Sequence, residues 1–234
     1  MKRAVVTVAT DWYVTFQDRL IAAVNRVDPE CGICAWREIP TGWPSHQDRP
    51  YGFKCRALVS AGAAGNDLLL WCDAPIVPVR SMKPLWDRIE KDGYWIARNG
   101  WNNYEWTATD AYKVLFPDLS LNQARRLNKD IPHVVASAFG INVAHPVGQM
   151  LISEYFRLCD TEAICGPWKN APETHCGPID VLGHRHDQTI LSVVAHNLGL
   201  KLTDCPDIFS YAPGADTSIL VSDGGNTLTN VFAE

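Results

Sequence analysis

Two groups of residues in this chain offer side chains that chemistry could use. The first is Asp73, which closes the run Asp67-Leu-Leu-Leu-Trp-Cys-Asp73 just before Ala74-Pro75. A short apolar run bounded in this way reads as a buried strand. A carboxylate in such a run is costly unless it stands at the strand's open end, in a cleft, with a partner. Ligands of open α/β sheets bind at the carboxyl ends of strands. The second group is His184-Arg-His-Asp-Gln188, set directly before an apolar helical stretch. Asp187 could cap that helix, and a carboxylate in the first turn is favoured by about 0.3–1 kcal/mol. Capping leaves two histidines, an arginine and a glutamine at the same helix start without a role. Together the groups could supply a general base, a means of neutralising an anion and polar groups to hold a substrate.

Alternating strand and helix signals position these residues. Residues 4–9 form an apolar, β-branched first strand that ends at Thr10-Asp11. Residues 14–27 carry a helical apolar stripe, stopped at Asp28-Pro29. Residues 33–39 read as a second strand, 40–50 as a polar loop, 52–64 as a helix, and the next strand ends at Asp73. This β-α-β-α-β order predicts a largely parallel sheet with right-handed crossovers. Residues 84–91 read as a helix with proline at its start, 94–97 as a strand and 98–110 as a loop dense in Asn and Trp. A helical stretch over 111–128 is broken at Phe116-Pro117. Residues 133–143 suit a strand pair or one strand at the sheet centre. A helix over 146–160 precedes a long irregular segment, 161–183, of a length that is usually functional or mobile. The helix 187–198, short strands at 201–202 and 208–211, and a polar, glycine-rich tail after Ala212 complete the chain. The fold class is therefore α/β: a mixed, mostly parallel Rossmann-like sheet flanked by helices. No linker divides residues 1–234, which read as a single domain.

The chain has 234 residues, 47% hydrophobic and 20% charged, enough for a full core. A formal net charge of -5 argues against a broad electrostatic footprint for nucleic acid; a local basic groove at Arg125, Arg126 and Lys129 is still compatible with it. Nine tryptophans include four in polar surroundings, Trp43, Trp101, Trp106 and Trp168, where rings can stack on planar or sugar groups. Eight cysteines contain one C-x-x-C pair, Cys31 and Cys34, and are expected to be reduced and inert. Cys165, His175 and Cys176 could form a structural zinc site. The stretch 4–9 is too short for a signal peptide, and no apolar run approaches the ~20 residues of a membrane span. A soluble, cytoplasmic protein is expected.

Five segments in consistent order over positions 4–202 carry a resemblance: Tyr51-Gly-Phe-Lys-Cys-Arg-Ala-Leu58, Leu70-Trp-Cys-Asp-Ala74, Asp92-Gly-Tyr-Trp95, Arg98-Asn-Gly-Trp101 and Gly183-His-Arg-His-Asp-Gln-Thr-Ile-Leu-Ser192. The chain resembles glycosyltransferases of the GT-A fold, and within them a bacterial and phage group with W-x-D-A and H-R-H-D-Q motifs. The resemblance implies a hexosyl- or pentosyltransferase that takes a nucleotide-sugar donor, with a donor-binding half of about 1–110 and an acceptor and catalytic half of about 111–234. It implies that Asp73 orients a metal–diphosphate, that Asp187 holds the donor sugar or acts as base, and that Gln188 lies beside the reacting carbon. Thr10 and Asp11 would hold the nucleoside, with Lys54 and His186 as further donor contacts. Trp101, Asn102 and Asp110 would form an acceptor loop. The group's phage members make DNA with a hydroxymethylated pyrimidine a candidate acceptor; a polysaccharide, lipid or protein is the alternative.

One departure bears on the metal. GT-A enzymes commonly carry Asp-x-Asp at the strand end, whereas this chain has Asp73-Ala74-Pro75. Mn²⁺ or Mg²⁺ is expected to bind through Asp73, the diphosphate, waters and His184 or His186. The alternative is neutralisation by Lys54 and Arg56. Two rival classes are a non-catalytic binding module on a degenerate GT-A domain and a zinc hydrolase built on His184 and His186.

Overall fold

The computed structural model describes residues 1–205, 207–211 and 218–222. Strand β1 (Arg3–Val8), helix α1 (Tyr13–Val27), β2 (Gly32–Trp36), α2 (Phe53–Ala63) and β3 (Leu68–Cys72) follow the alternation in the sequence. Then come β4 (Ile76–Pro78), α3 (Lys83–Asp92), β5 (Tyr94–Asn102), α4 (Tyr112–Leu115) and α5 (Leu121–Lys129). The chain continues through β6 (Pro132–Asn142), α6 (Pro146–Cys159), α7 (His186–Asn197), β7 (Thr203–Asp204), β8 (Phe209–Ser210) and β9 (Leu220–Ser222). Six strands form one sheet in the order β2-β1-β3-β6-β5-β7. β1 runs parallel to β2 and β3, and β5 parallel to β7, while β6 is antiparallel to both neighbours.

Period-two alternation decides which layer each strand residue joins. In β3, Leu69 and Trp71 pack on the face covered by α2, α6 and α7. Leu68, Leu70 and Cys72 pack on the opposite face with Leu20 of α1 and Trp86 of α3. Asp73 follows Trp71 by two residues and continues the α2/α7 side, where the Trp71 indole N–H donates to its Oδ1 at 2.8 Å.

Of the two readings of residues 133–143, the single central strand is the one found, as β6 (Pro132–Asn142), and its antiparallel direction interrupts the parallel run. Other expectations are corrected. Residues 98–102 belong to β5, with register shifts rather than a free loop. β7 falls two residues later than 201–202, because pairing with Ala97 and Arg98 sets its place. The break at Phe116-Pro117 separates α4 from α5, and α5 starts on a Ser120–Gln123 capping box. β4 is unforeseen; it pairs with β9, which lies inside the expected polar tail. Most of that tail lies outside the described residues.

The irregular segment 161–183 is tied down by a few polar bonds. The Asn170 amide donates to the carbonyls of Gly177, Pro178 and Val181 at 3.3, 3.0 and 2.9 Å, and its Oδ1 accepts from the Cys176 N–H. Gly183 passes so close to this segment that a Cβ there would lie 2.1 Å from the Trp168 carbonyl oxygen. Gly183→Ala should therefore cost about 1–3 kcal/mol, the usual range for overpacking. Thermal unfolding with tryptophan fluorescence checks this, and a variant as stable as wild type would contradict the close approach.

Candidate active site

At the carboxyl end of β3, three charged side chains meet. Lys54, in the first turn of α2, is nearly sealed off, with a side-chain exposure of 3%. Its Nζ lies 2.9 Å from Asp73 Oδ1 and 2.9 Å from Asp187 Oδ2. It also donates to the Ala136 carbonyl at 3.0 Å and stands over the rings of Tyr51 and Trp71 at 5.0 and 5.2 Å. A helical lysine is ordinarily solvated; two carboxylates and a carbonyl account for this one's burial. Asp73 is partly exposed, at 30%, whereas Asp187 is buried, at 5%.

The antiparallel strand β6 acts as the ruler for this cluster. Between the Ile96–Phe139 and Arg98–Val134 pairs, β5 advances two residues (96 to 98) and β6 advances five (139 to 134). The surplus leaves residues 135–138 unpaired with β5, while Ala138 keeps its place opposite Cys72 of β3; a bulge of this kind re-aims groups beside active sites. Two carbonyls of this stretch and one beside it then hold the site: Ser137 accepts the Asp73 N–H at 2.8 Å, Ala136 accepts from Lys54, and the neighbouring Val134 accepts from the Gln188 amide at 2.5 Å.

Burial raises the Asp187 pKa to about 6, against the opposing pull of Lys54. Burial also draws the Lys54 ammonium down, but Asp187 and Asp73 outweigh it and its pKa is raised. The direction for Asp187 has a consequence for stability. The folded state holds this proton more tightly than the unfolded chain, so the contribution is full below about pH 4. It is lost as pH rises through about 6, on the order of 3 kcal/mol in all. Asp187→Asn should flatten the slope of stability between pH 4 and 6 in denaturant titrations. An unchanged slope would contradict the raised pKa.

The expected residues divide. Asp73, Lys54, Asp187 and Gln188 come together. Asp187 is not the cap of α7; Arg185 stands at that position, and Asp187 turns to Lys54 instead. His186 lies beside the cluster, its ring 5.8 Å from that of Tyr51. Its Nδ1–H donates to the Ile164 carbonyl at 2.9 Å, and its ring stacks on Trp168 at 5.6 Å. His184 does not suit a metal. Its Nδ1 accepts the Ala108 N–H at 3.1 Å, so Nε2 carries the proton, which goes to the Ala163 carbonyl at 3.0 Å. Burial lowers its pKa to about 3. Thr10 and Asp11 lie at the end of β1, with Asp11 at φ 53°. Trp101 is exposed and stacks on Trp106 at 4.8 Å. Asn102 is engaged locally, accepting the Glu105 N–H at 3.1 Å. Asp110 lines an outer groove with Lys113, Phe116 and Leu121. Arg56 is also elsewhere, pairing with Asp160 and covering Phe156.

Trp12, Tyr13 and Tyr51 were given no role from the sequence, and Arg185 only a place in its polar group. Tyr51 and His186, like Asp11, take positive φ without being glycine, at 63° and 47°. Such strain concentrates at functional sites. Arg185 is held between Trp106 and Trp168, its guanidinium carbon 4.2 and 3.8 Å from the ring centres. Trp12 and Tyr13 present stacked rings, 3.9 Å apart, just after Asp11. The polar surroundings of Trp168 and the position of Trp12 after a strand end were the available signals.

The residues present do not fit a divalent ion. An ammonium already occupies the point between the two carboxylates, Pro75 replaces a second strand-end acid, and both nitrogens of His184 are committed. Among the described residues no group of three or more His, Cys, Asp or Glu could hold a metal, which also removes the zinc readings. All eight cysteines are free thiols.

No protein-family model matches the chain, and no curated protein matches it in sequence. Solved structures do match its backbone. Mouse xyloside xylosyltransferase 1, in its apo form, aligns with a TM-score of 0.52 at 8% identity, over 97% of this chain and 98% of that one. A glycosyltransferase involved in the glycosylation of the major capsid of PBCV-1 aligns with a TM-score of 0.52 at 10% identity, over 94% and 93%. The mixed, mostly parallel sheet flanked by helices is the GT-A fold of the glycosyltransferases. Among the described residues no helix is long and apolar enough to cross a membrane.

Proposed function

We propose that this chain transfers a sugar from a nucleotide-sugar donor to an acceptor hydroxyl. One observation carries the reading: the Asp73–Lys54–Asp187 cluster sits at the carboxyl end of β3 in a GT-A sheet, where this architecture binds ligands. Asp73 Oδ1 is held by Trp71 and Lys54, which leaves Oδ2 to accept the proton of a substrate hydroxyl. Asp187 acts through Lys54 as a positioning residue, because it is buried behind it. Gln188, pinned by Val134, stands beside the reacting carbon. The stacked Trp12 and Tyr13, with Thr10 and Asp11, suit a nucleoside.

The acceptor reading rests on the aromatic face. Trp101, stacked on Trp106, offers a ring to a flat acceptor carrying a hydroxyl. A hydroxymethylated pyrimidine flipped out of DNA is the form to test first. Binding that weakens steeply with salt in gel shifts on modified DNA supports it, since phosphate contacts release counterions. Salt-independent or absent binding directs the search to polysaccharide, lipid or protein acceptors.

The donor reading is tested by a thermal-shift screen of nucleotide sugars, because a ligand of the folded state raises the unfolding temperature. A concentration-dependent rise with one donor class is expected. No rise with any donor, while the protein unfolds cooperatively, would overturn it.

A further inference from the structure

The donor of such a reaction brings a diphosphate whose charge must be balanced as it leaves. Lys54 is already matched by two carboxylates, so it balances the site rather than an incoming anion. Arg185 is different. It is half-buried between two indoles and forms no ion pair among the described residues, and its Nε is buried without a hydrogen-bond partner. Burial lowers its pKa, as expected for a cation that lacks a counterion. It stands at the N-cap of the twelve-residue helix α7, the end at which a helix dipole disfavours a cation and favours an anion. The aromatic walls bring it to the catalytic cluster: the Tyr51 ring lies under Lys54 and 6.4 Å from Trp168, which covers Arg185. A guanidinium clamped between rings keeps its hydrogen-bonding edge oriented, and that edge matches two phosphate oxygens at once.

We propose that Arg185 receives the donor's diphosphate, and that Lys54 takes the place between Asp73 and Asp187 that a divalent ion would otherwise fill. The site then binds its donor without a metal. This rests on the nucleotide-sugar reading of the cleft.

The test is calorimetric titration of nucleoside diphosphates and of the matching nucleosides into wild type, Arg185→Gln and Arg185→Lys, each in EDTA and in Mn²⁺. Wild type should bind a diphosphate equally well in both. Arg185→Gln should weaken diphosphate binding about 10- to 100-fold, the worth of a charged hydrogen bond, and leave nucleoside binding unchanged. Arg185→Lys should restore part of the loss. Diphosphate binding that requires Mn²⁺ overturns the proposal and leaves the donor reading standing. So does an Arg185→Gln variant that binds diphosphate as wild type does, or that loses the nucleoside equally. Failure of wild type to bind any nucleotide in either buffer overturns the donor reading and the proposal with it.

Discussion

Asp73→Asn should lower sugar transfer about 10²- to 10⁴-fold, the usual contribution of a positioned base, and leave the protein folded. The asymmetry follows from geometry. Asp73 is the partly exposed member of the cluster, and its Oδ1 partners, Trp71 and Lys54, can still donate to an amide oxygen. What the substitution removes is the basicity of Oδ2, the atom left for a substrate hydroxyl. Lys54 keeps Asp187 as its counterion, so no buried charge is orphaned. Steady-state kinetics should place the loss in kcat more than in KM, since the interaction matters most as the proton moves. A variant with a normal kcat would remove Asp73 from the chemistry.

Lys54→Met should have the opposite profile, a large loss of stability. Breaking a buried charge cluster by deleting one partner costs about 3–5 kcal/mol, because the remaining charge stays buried and unpaired. Here that charge is Asp187, and the Ala136 carbonyl also loses its donor. The cost should be largest near pH 8. It should shrink as pH falls below about 6, where Asp187 takes up its proton and no longer needs a cation. Chemical denaturation of both proteins at pH 5 and pH 8 measures this directly. Equal losses at the two values, or no loss at pH 8, would contradict the assignment of Lys54 as the cluster's counterion.

The positions of Asp73 and of residues 184–188 were legible in the sequence for different reasons. Asp73 ends an apolar run, and only a strand end in a cleft tolerates a charge there. The polar crowd before α7 exceeds what capping needs. That the two groups share a site followed from the resemblance; the Lys54 bridge and the carbonyls that join them were not legible, because they depend on β6. An antiparallel strand inserted into a parallel sheet leaves no mark in the β-α-β rhythm, and its bulge is a matter of pairing with β5. The role of Lys54 was hidden by its place on a helix, where periodicity speaks of faces and not of partners. His184 looked like a metal ligand because histidine is one by type; its two backbone bonds come from segments 76 and 21 residues away in the chain. Arg185 was present in the motif, yet its clamp needs Trp106 and Trp168 from two segments distant in the chain. Strand β9 was missed because three residues in a polar tail carry too little pattern to stand out.

The central claim is that sugar transfer from a nucleotide sugar at this site uses Asp73 as the base that takes the acceptor's proton. It is tested most directly by measuring nucleoside diphosphate release from a panel of nucleotide sugars with water as the acceptor, for wild type and Asp73→Asn side by side. The account predicts slow release from one donor class by wild type and its loss in the variant. No release from any donor by a folded wild-type protein, or equal release by the two, would contradict it.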